Sequence, residues 1–328
     1  MTRSPMESRG LRPTLSLDFT NGGVTDSRVT YSGGANGTRV NSAGLIVAAT
    51  TPRFDYNPVT LAAMGFWVEE PRTNLLVNSL INGTILGTQS VTVAATPYTL
   101  SFYGTGTVTL SGVSTAGPAV GSAAYPTRTT LTFTPTAGSL TLTVAGTVQF
   151  AQLEAGSFAT SFIPTAGATV TRSADSAVMT GTNFSSWYNQ TQGTFVVNAI
   201  SAPGLGSVAQ ASLEVDDGTT NTRQVLFKNG SGLSSAQVGN SGTQADLVGD
   251  AWAVSTLGRM AFAYAANDFA MSFNAATCIT DVSGTVPTVT RMVIGDTAAV
   301  NRAFNGRIRS IRYYPQRLPN ATLQGMTA

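Results

Sequence analysis

YTLSFYG, Tyr98–Gly104, followed at once by TVTLSG, Thr107–Gly112, is the stretch on which the fold turns. Successive side chains of a strand point to opposite faces, so Tyr98, Leu100 and Phe102 share one face while Thr99 and Ser101 take the other. The glycines at 104 and 106 punctuate the two runs as a turn between strands. The same pattern extends outward in SVTVAA (90–95), RTTLTFTP (128–135), SLTLTVAG (139–146) and VQFAQLEA (148–155). Short β-branched runs at regular spacing, separated by Gly and Pro, predict a sandwich or jelly roll. The Thr- and Ser-rich sides of YTLSFYG and RTTLTFTP read as exposed, flat and weakly charged, the kind of surface that packs on its own copy.

Further out the period of two persists. Leu15, Leu17 and Phe19 alternate with Ser16 and Asp18, and Asn21-Gly22-Gly23 then turns the chain. Strands follow at 28–31 and 44–47. Beyond the central run they recur at 193–199, 209–215, 222–227, 259–264 and 269–273, with hairpin signals at Asp216-Asp217-Gly218 and Lys228-Asn229-Gly230. In GRIRSIRYY, 306–314, the apolar set Ile308, Ile311 and Tyr313 breaks strict alternation, which predicts a bulge with Arg307 and Arg309 projecting together into solvent. The expected fold class is all-β: tandem β-sandwich or jelly-roll domains with an extended N-terminal arm. The expected division is a polar arm over 1–13, a β-rich attachment segment over 14–73, a small jelly roll over 74–171 and a second sandwich over 172–328. Pro164 and Gly167 place the joint near 163–172.

Composition narrows the chemistry. Of 328 residues only 10% are charged and the net charge is +2, with no basic stripe interleaved with aromatics, so nucleic acid is not an expected partner. No apolar run approaches the ~20 residues that span a bilayer, and the first residues lack the apolar stretch of a signal peptide. The expectation is a chain made in the cytoplasm without membrane insertion. Cys278 is the single cysteine and there is no histidine. Serine–histidine and cysteine–histidine nucleophile systems are thereby removed, and so is a structural zinc site in one chain. No cofactor or catalytic residue is expected and no metal ligand is assigned, oxygen-ligated calcium staying open.

The segment TPRFDYNPVTLAAMGFWVEEPRTNLLVNS, 51–79, carries a family resemblance. PRFDY, an Asn-Pro turn, Gly65-Phe66-Trp67-Val68-Glu69-Glu70 and Arg72-Thr73-Asn74-Leu75-Leu76 together resemble bacteriophage structural proteins of the head spike or head fibre type. AQLEAGSFATSFIPTAGATVTRSAD (151–175) and FSSWYNQTQGTFVV (184–197) resemble later joints of the same family. FNGRIRSIRYYPQRLPNATLQGMTA (304–328) is similar to the last strand and closing helical turn of laminin-G-like, concanavalin-A-like domains, with Pro319 where a small polar helix cap usually stands. The resemblance implies a carbohydrate-binding-module-like jelly roll over 74–171. Few aromatics are placed there to stack on a sugar, so its residues read as scaffold.

Within the resembling joint, Arg53, Asp55, Glu69 and Arg72 are the expected interdomain or assembly residues, forming ion pairs that lock the N-terminal segment onto the first sandwich. Glu69 and Glu70 are adjacent on a strand and face opposite ways, which argues against a catalytic pair. Asp216, Asp217 and Trp252 are the candidate ligand rim, Asp216 and Asp217 also reading as an ordinary hairpin turn. Trp67 and Trp187 read as core plugs. The expected function is a virion structural protein, a fibre, spike or decoration subunit at the virion surface, on head or tail, aiding host adsorption. It is expected to be a homo-oligomer, a trimer by the resemblance, contacting other virion proteins and a host cell-surface glycan. The alternative is a receptor-binding, lectin-like tail fibre; a third reading, a polysaccharide depolymerase, lacks suitably spaced carboxylates.

Overall fold

The computed structural model describes residues 11–202 and 208–328. The first ten residues of the expected arm lie outside them. Residues 14–74 form seven strands: β1 (Leu15–Asp18), β2 (Thr30–Gly33), β3 (Thr38–Val40), β4 (Ile46–Ala48), β5 (Phe54–Tyr56), β6 (Ala63–Val68) and β7 (Arg72–Asn74). The next seven are β8 (Gln89–Val93), β9 (Tyr98–Tyr103), β10 (Thr107–Gly112), β11 (Ala119–Val120), β12 (Thr129–Phe133), β13 (Gly138–Ala145) and β14 (Gln149–Ala155). Then come β15 (Val170–Arg172), β16 (Asp175–Thr180), the short helix α1 (Thr182–Ser185), β17 (Gln192–Ile200), β18 (Gln210–Asp216), β19 (Thr222–Lys228) and β20 (Leu233–Asn240). The chain closes with β21 (Thr243–Ala251), β22 (Leu257–Ala265), β23 (Asp268–Phe273), β24 (Ile279–Asp281), β25 (Arg291–Ile294), β26 (Gly306–Tyr314) and helix α2 (Asn320–Thr327).

The protein is all-β, with two sandwich modules. In the smaller, a four-stranded sheet in the order β11-β10-β13-β8 faces a three-stranded sheet β12-β9-β14. Leu100, Phe102, Val108, Leu110, Leu140, Leu142 and Leu153 fill the space between them. Six of its seven strands lie where the alternation of apolar and hydroxyl residues predicts them; the two-residue β11 has no such run. One expectation is corrected: Thr99 and Ser101, on the supposedly exposed side of β9, are 1% and 0% exposed. β9 is the central strand of its sheet, and its outer face is covered. The Thr99 hydroxyl bonds the Gly156 carbonyl at 2.8 Å, and Arg128 Nη2 donates to Ser101 Oγ at 2.7 Å.

The larger sandwich packs an eight-stranded sheet, β24-β23-β22-β17-β26-β6-β5 with β1 also on β26, against a seven-stranded sheet, β2-β16-β25-β18-β19-β20-β21. Residues 14–73, expected as an attachment segment, supply β1, β5 and β6 to one sheet and β2 to the other. Leu15, Leu17, Phe66 and Val68 enter the same core as Phe195, Leu213, Phe262, Met271 and Ile311. β26 makes this possible because it is long. One edge pairs with β17; the other is shared, Gly306–Ile308 with β6 and Ser310–Tyr313 with β1. A bulge opposite Asn198/Ala199 lets the strand serve both.

The jelly roll is therefore spliced into the sandwich rather than strung before it. The chain leaves through β7 and returns through β15, and these two strands pair, Asn74 opposite Val170 and Arg72 opposite Arg172. On the outer face of the eight-stranded sheet, α2 packs Leu323 onto Val196, Ala261, Ala263 and Ala270. Cys278 is partly buried at the edge of that cluster, its thiol near the Asn320 carbonyl at 3.4 Å. Pro319 gives no side-chain cap, and Asn320 does not replace it, its Oδ1 being buried without a partner. The last turn nevertheless docks firmly, because Thr327 Oγ1 accepts the Ala275 N–H at 2.9 Å.

Candidate functional site

The most concentrated chemistry lies where the jelly roll meets the sandwich. Arg53 opens β5's approach and is fully buried. Its Nε donates to Asp175 Oδ1 at 2.8 Å, Nη2 also meets that carboxylate, and Nη1 reaches Ser161 Oγ at 2.8 Å and Glu69 Oε2 at 2.9 Å. Glu69 in turn accepts the Ser161 N–H at 2.8 Å and hydroxyl at 2.6 Å, and pairs with Arg172 Nη1 at 3.0 Å. Two cations and two carboxylates thus sit out of water with Ser161 at their hub. Charges buried this way persist only when paired and hydrogen-bonded. Burial works to raise the Glu69 carboxyl, but Arg172, Arg53 and Ser161 outweigh it and hold it at about 2.

The four residues expected to act together are all buried, yet they do not form one cluster. Asp55 turns the other way, accepting the Val40 N–H at 2.9 Å and Arg307 Nε at 2.6 Å. That corrects the expectation of a solvent-facing Arg307, whose guanidinium also lies 4.1 Å from the Trp67 ring centre. Arg72 pairs with Glu70, Nε to Oε1 at 2.7 Å, and stacks on Phe158 at 4.8 Å. Its plane lies so close to Gly156 (φ +128°) that a Cβ there would come within 1.7 Å of Nη1. Glu70 also exchanges hydrogen bonds of 2.9 Å with Asn305, through its N–H and its carboxylate. Sequence reasoning missed Arg172, Asp175, Ser161 and Arg307. The signal for the first two was the charged pair in Arg172-Ser-Ala-Asp175, set in an otherwise uncharged stretch.

The candidate ligand rim does not assemble. Trp252 is 2% exposed, wedged against Phe273 and Phe304 with its ring N–H on the Thr256 carbonyl at 3.3 Å, so it is a core residue and not a platform. Asp216 is buried as well, holding Arg291 Nε at 2.6 Å and the Gly218 N–H at 2.6 Å. Only Asp217 faces solvent, and it accepts the Thr219 N–H and hydroxyl within its turn. Trp187 is buried against Tyr313 and Phe184. Asp246 and Asp250 are exposed four residues apart on β21, about 13 Å along a strand, beyond the ~6.5–9.5 Å of an inverting carboxylate pair. Among the described residues no group of three or more Asp, Glu or Cys side chains is placed to hold a metal ion.

Beside the buried ion network lies a cavity of about 260 Å³ that all three stretches of chain help to build. Arg39 and Trp67 come from the N-terminal part of the sandwich, Arg307 from β26, and Tyr103, Tyr125 and Arg128 from the jelly roll. Tyr103 and Tyr125 meet edge to face at 5.2 Å, and the Tyr125 hydroxyl is fixed on the Gly44 carbonyl at 2.8 Å. The sequence offered no signal for this cavity, since its walls come together only through the splice.

No protein-family model matches the chain, and no curated protein matches it. Among solved structures it is similar to the CBM40 of the Ruminococcus gnavus IT-sialidase bound to α2,3-sialyllactose, at 18% identity and a TM-score of 0.38, over 43% of this chain and 84% of that one. It is similar also to the K499G mutant of NanB sialidase from Streptococcus pneumoniae (10% identity, TM-score 0.37, 45% of this chain and 26% of that one). Trypanosoma rangeli sialidase is matched at 12% identity and a TM-score of 0.36, over 45% of this chain and 25% of that one.

Proposed function

We propose that the chain is a structural subunit of a bacteriophage particle, a fibre, spike or decoration protein on head or tail, working as a homo-oligomer, a trimer, against other virion proteins. The observation that carries this reading is where the most distinctive residues of the resemblance go. Arg53, Glu69 and Arg172 converge on Ser161, Arg72 stacks on Phe158 and Asp175 holds Arg53, so all five are consumed where the sandwich meets the stretch that follows β14. A sequence whose signature residues are spent on a joint is built to hold a shape under load, not to present reacting groups. The outward face of the four-stranded sheet, with Thr92, Thr109, Ser111 and Thr143 exposed, supplies the weakly charged surface that self-packing requires.

The test is to purify particles from a lysate of infected cells and probe them with an antibody raised against the larger sandwich. The protein is expected to co-purify with particles and to decorate their surface in electron micrographs, and light scattering on the isolated protein is expected to give three times the chain mass. Protein confined to the particle-free fraction would end the reading. A second reading, a receptor-binding, lectin-like fibre, is favoured by the aromatic and arginine-lined cavity at the joint.

A further inference from the structure

We propose that the cavity at the joint is a binding site for one acidic monosaccharide unit of the uronic acid type, held through its carboxylate by Arg39 and Arg128. This deepens the lectin-like reading and is independent of whether the chain rides on a particle.

The cavity wall carries unmatched positive charge. Five charged side chains line the cavity: Arg39, Arg128, Arg307, Asp55 and Glu69. Both carboxylates are already engaged, Asp55 with Arg307 and Glu69 with Arg53 and Arg172. Arg307 is neutralised by the same pairing. Arg39 and Arg128 are left with no ion pair among the described residues. Arg39 makes one long bond, Nη1 to the Phe54 carbonyl at 3.4 Å. Arg128 is anchored through Nη1 to the Thr160 carbonyl and Nη2 to Ser101 Oγ, which leaves its Nε–H buried without an acceptor. A guanidinium is shaped to take a carboxylate through parallel N–H bonds. An incoming carboxylate would balance the unmatched charge of both arginines.

The rest of the wall fits a sugar ring better than a bare anion. Tyr103 and Tyr125 add aromatic surface beside the two arginines, and their hydroxyl-bearing rings suit a ligand that is apolar on its C–H faces and polar at its rim. Trp67 is less available, since Arg307 lies against its ring. At about 260 Å³ the space is just below the ~300–1,000 Å³ of pockets for drug-sized ligands, the size for a single ring rather than a chain of them. Fixed aromatic contacts and the anchored Arg128 mean that little beyond the Arg39 side chain has to be ordered on binding.

The experiment is a calorimetric titration of the full chain with galacturonate and glucuronate, against galactose, which has the galacturonate ring with a hydroxymethyl group in place of the carboxylate, and against inorganic phosphate. At least one uronate is expected to bind with millimolar affinity and galactose about tenfold more weakly. Arg39→Gln and Arg128→Gln are each expected to weaken the uronate about tenfold, with an unchanged thermal midpoint certifying the fold of Arg39→Gln, whose side chain has the fewest internal contacts. The proposal is overturned if neither uronate saturates by about 50 mM. It is equally overturned if Arg39→Gln binds like the parent chain, or if galactose or phosphate binds as well as the uronates.

Discussion

Two buried carboxylates, Glu69 and Glu214, are driven in opposite directions from the ordinary value of 4.5. Glu69 is held at about 2 by the arginines that outweigh its burial. Glu214 is pushed up to about 7 by burial, against the Ala298 N–H at 2.6 Å and Arg223 Nη1 at 3.2 Å, which favour its charged form. A folded-state value below the unfolded one contributes stability that is present above pH 4.5 and is lost as pH falls toward 2. A value above the unfolded one does the reverse: the contribution is intact below pH 4.5 and is lost as pH rises toward 7. Asp296, also raised by its burial, adds to the second limb. The thermal midpoint is therefore expected to peak between about pH 4 and 6, and Glu214→Gln to flatten the fall toward neutrality. A midpoint that climbs steadily through pH 7 would contradict it. At this scale the sequence was half legible. The motif pointed to Arg53, Asp55, Glu69 and Arg72 as buried polar residues, but Asp55 and Arg307 are partners from opposite ends of the chain, and no local pattern encodes such a pairing.

Elements were the most legible level, for the plain reason that alternation in a strand reports one buried face directly. All six strand runs read from 90–155 are strands in the structure. What alternation cannot report is a second cover, and this is why Thr99 and Ser101 were misplaced: polar side chains were read as exposed where the stretch after β14 and Arg128 bury them. Helix α2 shows a complementary failure of local preference. It begins at Asn320 behind Pro319, whose ring offers no acceptor to the first turn, and it is held by the burial of Leu323 and Thr327 instead. Pro319 has φ −57° and ψ 148°, an extended conformation that any capping residue adopts. Pro319→Asp is accordingly expected to stabilise by about 1 kcal/mol, adding a side-chain acceptor and a negative charge at the helix N-terminus. Calorimetry would show a midpoint raised by roughly 2 °C. No gain would mean that the first turn is already satisfied by the docked packing.

The whole molecule is where the sequence told least, because strand order across hundreds of residues leaves no periodic trace. Read linearly, the chain falls into an attachment segment, a jelly roll and a sandwich; the pairing of β1 and β6 with β26 instead makes the first and last of these one module. That topology has a mechanical consequence at 166–169, an exposed link between buried Thr165 and β15. Elastase, which cuts after small residues, is expected to nick Ala166–Thr169 early. In linearly arranged domains the nick would let the C-terminal piece go. Here the N-terminal piece keeps Leu15, Leu17, Phe19, Phe54, Phe66 and Val68 in the core of the sandwich. At about 1.5–3 kcal/mol for each fully buried side chain, these contacts hold the pieces together by about 10 kcal/mol or more, before any hydrogen bonds between β1, β6 and β26 are counted. Arg53 and Glu69 add their buried pairing to Asp175 and Arg172 across the nick. The nicked protein is therefore expected to elute from a native sizing column at the position of the intact chain, with its strand-rich circular dichroism unchanged, and to separate into two pieces only in denaturant. Two native peaks after the single cut would show that the N-terminal strands are not part of the sandwich, and the splice, the joint and the cavity built on it would fall together.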